Sequence, residues 1–156
     1  MSEFQGHFHY DQSMLELDVE YLCSQVRKEA AGFPTVIVGI ARGGLVPAVM
    51  MSHQLGVKMI ALHWSLRDNT RIDEKLLMGL VVANSKVLIV DDICDSGATL
   101  NSMYGALKSV YGENILGKIR TAVLWNNTSS AFTPTDWART IDRQSDKRFI
   151  VFPWEV

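Results

Sequence analysis

With 156 residues, of which 47% are hydrophobic and 21% charged, the chain has the make-up of one globular domain with a core of its own. A net charge of −2 excludes a global basic footprint for nucleic acid or an acidic membrane, and two cysteines, Cys23 and Cys94, are too few for a disulfide framework and fit a reducing compartment. The first residues lack the basic and apolar stretches of a signal peptide, and no apolar run approaches the length of a membrane span, so the expectation is a cytoplasmic protein that binds neither membrane nor nucleic acid.

Residues 1–17 are polar with scattered aromatics, Phe4, Phe8 and Tyr10. His7 and His9 form a His-x-His pair, but two ligands alone do not make a metal site, and a solvated terminal strand is expected. Asp18 is placed to cap a helix over 19–31, whose apolar stripe is Val19, Leu22, Cys23, Val26 and Ala30. Gly32 and Pro34 supply the stop. Residues 35–40 read as the first buried strand. Ala41-Arg42-Gly43-Gly44 then turns the chain into a helix over 45–55. Gly39 and Gly44 have Walker A spacing, but Leu45-Val46 stand where Lys-Ser/Thr is required, so a P-loop is rejected. No G-x-G-x-x-G is present either. The turn still offers amides, two permissive glycines and an Arg, which suits a diphosphate. Residues 58–64 form a second apolar strand, and 65–73 a polar, charged connection of the kind used as a lid. Residues 76–83 read as a short apolar hairpin arm.

The most informative stretch is Val87-Leu88-Ile89-Val90-Asp91-Asp92-Ile93-Cys94-Asp95-Ser96-Gly97-Ala98-Thr99. Four apolar residues suit a buried parallel strand, and two adjacent carboxylates follow where it should end. A small-residue turn then leads into a helix whose apolar face is Leu100, Met103, Tyr104, Leu107 and Val110. Free amides at the positive end of a helix make such a turn an anion site, above all for phosphate. Carboxylates cannot serve that phosphate; they address hydroxyls or a metal beside it. A ligand with a phosphate and a neighbouring diol is a ribose 5-phosphate. Further on, 118–125 is another apolar strand, ending at Trp125-Asn126-Asn127-Thr128. Residues 129–146 read as irregular and 148–155 as extended and aromatic.

The thirteen-residue stretch resembles the phosphoribosyl pyrophosphate (PRPP) motif of the type I phosphoribosyltransferases, an apolar strand, an acidic pair, then D-[ST]-G-x-T. The branch acting on 6-oxopurines is the most similar, and the likeness runs from about Val36 to Phe152-Pro153-Trp154-Glu155. It implies an α/β fold with a twisted, mainly parallel sheet flanked by helices. It implies one domain over 1–156, with a core of about 18–137 and a small hood from about 1–17 and 138–156. The implied reaction is Mg²⁺-dependent transfer of the phosphoribosyl group from PRPP to hypoxanthine, guanine or xanthine, releasing pyrophosphate, as in purine salvage. By the same resemblance, Asp91 and Asp92 hold the ribose hydroxyls, directly or through Mg²⁺ and water. Asp95, Ser96, Gly97, Ala98 and Thr99 bind the 5-phosphate, and Asp95 is the candidate general base at the purine. Ala41, Arg42, Gly43 and Gly44 hold pyrophosphate, with a cis peptide at Ala41–Arg42. Arg67 or Arg71 would meet pyrophosphate from the lid, although Ser65-Leu66 departs from the Ser-Tyr common in that loop. Phe149 is the stacking ring and the Ile150 backbone the contact to the base edge. A homodimer or homotetramer is expected by analogy.

One departure bears on the substrate. Where 6-oxopurine enzymes carry a Lys that donates to O6, this chain has Asn127 or, in a shifted alignment, Asn126. An amide can donate to a carbonyl or accept from an exocyclic amine. The same reaction on another base therefore stays open, as does a regulatory protein that binds PRPP without catalysis.

Overall fold

The computed structural model describes residues 6–29, 33–66, 73–84 and 86–155. Its centre is a five-stranded sheet built from β2 (Val36–Ala41), β3 (Met59–His63), β4 (Val87–Cys94), β5 (Ile119–Asn127) and β6 (Asp136–Ile141), with β1 (His7–His9) lying outside it. The order is β3-β2-β4-β5-β6, and every pairing is parallel. The parallel α/β architecture expected from the sequence is the one observed.

Alternation along β4 feeds two cores. Leu88 and Val90 face one side, Val87 and Ile89 the other, and all four are fully buried. The first side is covered by α1 (Gln12–Arg27) and α2 (Leu45–Leu55) through Leu15, Leu22, Val26 and Met51. The second is covered by α3 (Glu74–Ala83) and α4 (Ala98–Tyr111) through Leu77, Val81, Leu100, Met103 and Leu107. Each such side chain contributes roughly 1.5–3 kcal/mol by leaving water.

Three elements differ from the sequence reading. First, α1 begins at Gln12, capped by Asp11, whose carboxylate accepts the Met14 amide at 2.9 Å. Leu15 sits one turn before Val19 and extends the stripe backward. Asp18 is thus inside the helix rather than its cap. It is buried, ion-paired with Arg139 (Nε to Oδ2, 2.6 Å) and accepts the Tyr10 hydroxyl at 2.6 Å. Second, residues 76–83 are helical, in α3, because Leu77, Leu80 and Val81 share one buried face. A parallel connection from β3 to β4 needs a crossover, which a hairpin arm cannot supply. Third, 136–141 is a strand at the sheet edge, paired with β5 from Ala122↔Asp136 to Asn127↔Ile141. Its mixture of polar and apolar residues is what an edge tolerates. Residues 138–141, assigned to the hood from sequence, therefore belong to the central sheet.

The hood itself is β1 paired in parallel with β7 (Phe149–Val151), in register His7↔Phe149, Phe8↔Ile150 and His9↔Val151. It sits on the end of β5 through edge-to-face contacts of Phe8 and Tyr10 with Trp125. The parallel topology brings the ends of β2, β4 and β5 to one edge, where ligands of open α/β sheets bind.

Candidate active site

Two turns at that edge converge. The first follows β2. The Ala41–Arg42 peptide is cis, as the resemblance implied, and the chain enters α2 with Gly44 as its cap and no side-chain hydrogen bond to the first amides. A Cβ on Gly43 would run into the Asp92 carboxylate, and one on Gly44 into the Val90 carbonyl. Only glycine lets this loop lie against the end of β4.

The second turn follows β4. Asp91 lies opposite Val123 in the ladder, and its Oδ1 accepts the Asp92 amide at 2.9 Å. Asp92 Oδ1 accepts the Ile93 amide at 2.7 Å. Burial pushes both acids above the usual carboxylate range, Asp91 furthest, with the Asp92 charge adding to it. Gly97 has φ +86° and leads into α4; it supplies no capping side chain itself, and the Ala98 amide donates to the Ser96 hydroxyl at 3.2 Å. The cleft over this turn has a volume of about 110 Å³ and is lined by Asp91, Asp95, Ser96, Gly97, Ala98 and Thr99 among others. The residues expected at the 5-phosphate, Asp95 to Thr99, thus share one small cavity with Asp91, whereas Asp92 lines the neighbouring one.

Beside it opens a larger cavity of about 530 Å³ lined by Arg42, Gly43, Asp92, Trp154 and Glu155. Sequence reasoning left Glu155 without a role. Burial first, and then the Asp92 charge, raise its pKa. Trp154 is held by stacking on Phe152, with ring centroids 4.9 Å apart. Among the described residues no three His, Cys, Asp or Glu side chains converge as a complete metal cage. Mg²⁺ does not need one, because it retains several waters and takes one or two carboxylates plus substrate phosphate oxygens. The Asp91–Asp92 pair offers oxygen donors of that kind.

The base end departs from expectation. Asn127 is buried, and its amide is turned into the protein. Nδ2 donates to the Asp95 carbonyl at 2.9 Å, while Oδ1 accepts from the Ser129 amide (3.1 Å), the Ser129 hydroxyl (2.8 Å) and the Arg143 amide (3.1 Å). A carbonyl oxygen with three donors has no lone pair left for a base. Asn126 is also buried and lies in register with Cys94. The cation at this end is instead Arg143, whose Nε donates to Asp95 Oδ1 at 3.2 Å. Nothing in local sequence pattern marks it, because the pair is separated by 48 positions. Phe149, 38% exposed on the hood, meets His7 edge to face, and Ile150 is buried beneath it. The lid candidates Arg67 and Arg71 lie outside the described residues.

A family model described as a phosphoribosyl transferase domain matches residues 10–156. A xanthine-guanine phosphoribosyltransferase of Cereibacter sphaeroides is 34% identical over 70 residues, covering 41% of this chain and 42% of that protein. An orotate phosphoribosyltransferase of Maricaulis maris is 37% identical over 76 residues, covering 49% of this chain and 37% of that protein. These two matches thus span about two fifths of each relative's length. A purine phosphoribosyltransferase from Pyrococcus horikoshii superposes with a TM-score of 0.72 at 23% identity, covering 97% of this chain and 96% of that one, which establishes the shared fold.

Proposed function

Since the chain belongs to the phosphoribosyltransferase family, we propose that it transfers the 5-phosphoribosyl group of PRPP to a nucleobase, releasing pyrophosphate, and that the base is a 6-oxopurine. The observation that carries the reading is the phosphate-sized cleft at Ser96–Thr99 directly beside two half-buried acids.

In this reading the amides at the start of α4 and the Ser96 and Thr99 hydroxyls grip the 5-phosphate. Asp91 and Asp92 hold the ribose hydroxyls and favour positive charge at C1 as its bond to pyrophosphate breaks. Arg42 and the amides of the Gly43-Gly44 turn receive the departing pyrophosphate. Asp91 and Asp92 would also hold Mg²⁺, which when bound neutralises charge on the leaving group. Asp95 takes or shares the proton of the incoming base as its ring nitrogen attacks. Phe149 covers the base, and the Ile150 backbone meets its edge. A homodimer or homotetramer is part of the proposal, checked by light scattering.

The test is incubation with PRPP, Mg²⁺ and each base in turn, with pyrophosphate assayed. Release with hypoxanthine, guanine or xanthine is expected. Release confined to orotate or adenine would move the reading to another base, which the inward-turned Asn127 and the relative named an orotate phosphoribosyltransferase favour as the second choice. PRPP binding with no release on any base would leave a binding protein.

A further inference from the structure

We propose that Arg143 is the positioning residue of Asp95, fixing its carboxylate for proton transfer; this rests on the function proposed above. Asp95 is held from two sides. Its main-chain carbonyl accepts from Asn127 Nδ2 at 2.9 Å, and its Oδ1 accepts from Arg143 Nε at 3.2 Å. The two holders are themselves joined, because the Arg143 amide donates to Asn127 Oδ1 at 3.1 Å. Arg143 also donates through Nη1 to the Arg148 carbonyl, one residue before Phe149. The result is a closed circuit from the end of β4, through the end of β5, to the segment that enters β7.

The exposures give this circuit its purpose. The Asp95 side chain is 44% exposed and lines the cleft, whereas that of Arg143 is 16% exposed. A carboxylate that open to water has several rotamers of similar energy. A guanidinium withdrawn from solvent, and fixed at its other end by a main-chain carbonyl, selects one. Small misplacement of a reacting group costs about a hundredfold in rate, so selecting one orientation affects turnover rather than ground-state affinity. The same link ties the position of the base-covering strand to that of the proton acceptor. Asp95 is therefore set only when the segment between β6 and β7 is seated.

The experiment compares wild type, Arg143→Met, Arg143→Gln and Arg143→Lys, each also in an Asp95→Asn background, by steady-state kinetics and PRPP-induced change in melting temperature. Met and Gln should lower kcat by about a hundredfold, on the order of what misplacing a reacting group costs, with KM for PRPP nearly unchanged. Lys should recover only part of the loss, because it restores the charge but a single ammonium does not reproduce the fork that reaches both Asp95 and the Arg148 carbonyl. Within Asp95→Asn, removing Arg143 should have little further effect, since there is no carboxylate left to orient. Wild-type turnover in Met and Gln, equal losses in both backgrounds, or Lys equal to wild type would each overturn the role. If Met destabilises the fold, Gln carries the same comparison. Absence of turnover in wild type on every base would overturn the proposed reaction itself, a result distinct from an active wild type with unimpaired variants.

Discussion

Asp91, Asp92 and Asp95 lie close together in the chain and yet face different surroundings. Asp91 and Asp92 are half-buried, each with a carboxylate oxygen on a main-chain amide, and desolvation raises their pKa values. Asp95 shares the cleft with Asp91 but meets a guanidinium. For Asp91 the sign follows from linkage. Its native pKa is raised, so between the unfolded value near ~3.9 and the native one the native state holds a proton that the unfolded chain has released. That group's stabilisation is complete below the window and is lost as pH rises through it. Ligand-free Asp91→Asn should therefore melt a few degrees above wild type at neutral pH, with the advantage shrinking toward pH ~4, where 1 kcal/mol corresponds to roughly 2–4 °C at this size. Calorimetry across pH checks this, and parallel curves for the two proteins would contradict it. Mg²⁺ should raise the melting temperature of wild type more than that of Asp91→Asn. Asp95→Asn should keep PRPP affinity while losing about a hundredfold or more in turnover; titration calorimetry beside the pyrophosphate assay separates the two.

At the scale of elements, the site depends on two turns that admit no side chain at particular positions. A Cβ on Gly97 would come within 2.7 Å of the Phe132 nitrogen and the Ser130 hydroxyl, in a backbone conformation that already disfavours one. Gly97→Ala should cost about 1–3 kcal/mol in denaturant melts and weaken PRPP binding, because the turn that carries the phosphate amides must shift. Unchanged stability together with unchanged affinity would mean the turn is not as tightly fixed as its contacts imply. The β4 strand and this turn were readable in sequence, since an apolar run that gives way to acids and then to small residues suits a buried strand ending at a polar sheet edge. The helical stripe of α3 was also present in Leu77, Leu80 and Val81, but the adjacent β-branched Val81 and Val82 favour a strand reading and the glycine at 79 weakens a helical one. The need for a parallel crossover decides it. β6 has no such stripe, because an edge strand is held by main-chain pairing more than by buried side chains.

Across the whole molecule, a partly buried ionic cluster adds to the aromatic contacts that hold the hood on the core. Asp18 of α1, Arg139 of β6 and Tyr10 at the exit of β1 meet beneath Trp125, and Arg139 also lies 5.9 Å over the Trp125 ring. Burial, then the hydrogen bond to Asp18, pushes the Tyr10 hydroxyl pKa far up, so it stays a donor at any physiological pH. Removing the acid leaves Arg139 without its partner. Asp18→Ala should lower stability by about 1–3 kcal/mol, below the full cost of breaking a deeply buried pair because Arg139 is partly solvated. It should also loosen the hood, read as faster hydrogen exchange in β1 and β7 than in β4. Uniform exchange across all three strands would show that the cluster serves the core alone.

The small-residue turn after β4, the acidic pair and the Gly43-Gly44 loop were legible in the chain, because each depends on adjacent residues and local backbone chemistry, and the parallel α/β class followed from the family resemblance those residues carry. Packing alone set that Asn127 faces inward, that Arg143 meets Asp95, that Glu155 shares a cavity with Arg42 and Asp92, and that Asp18 is buried in an ion pair rather than a cap. Those are contacts between distant positions. Which polar side chain faces a ligand and which satisfies the main chain is set by packing, and no local pattern records it.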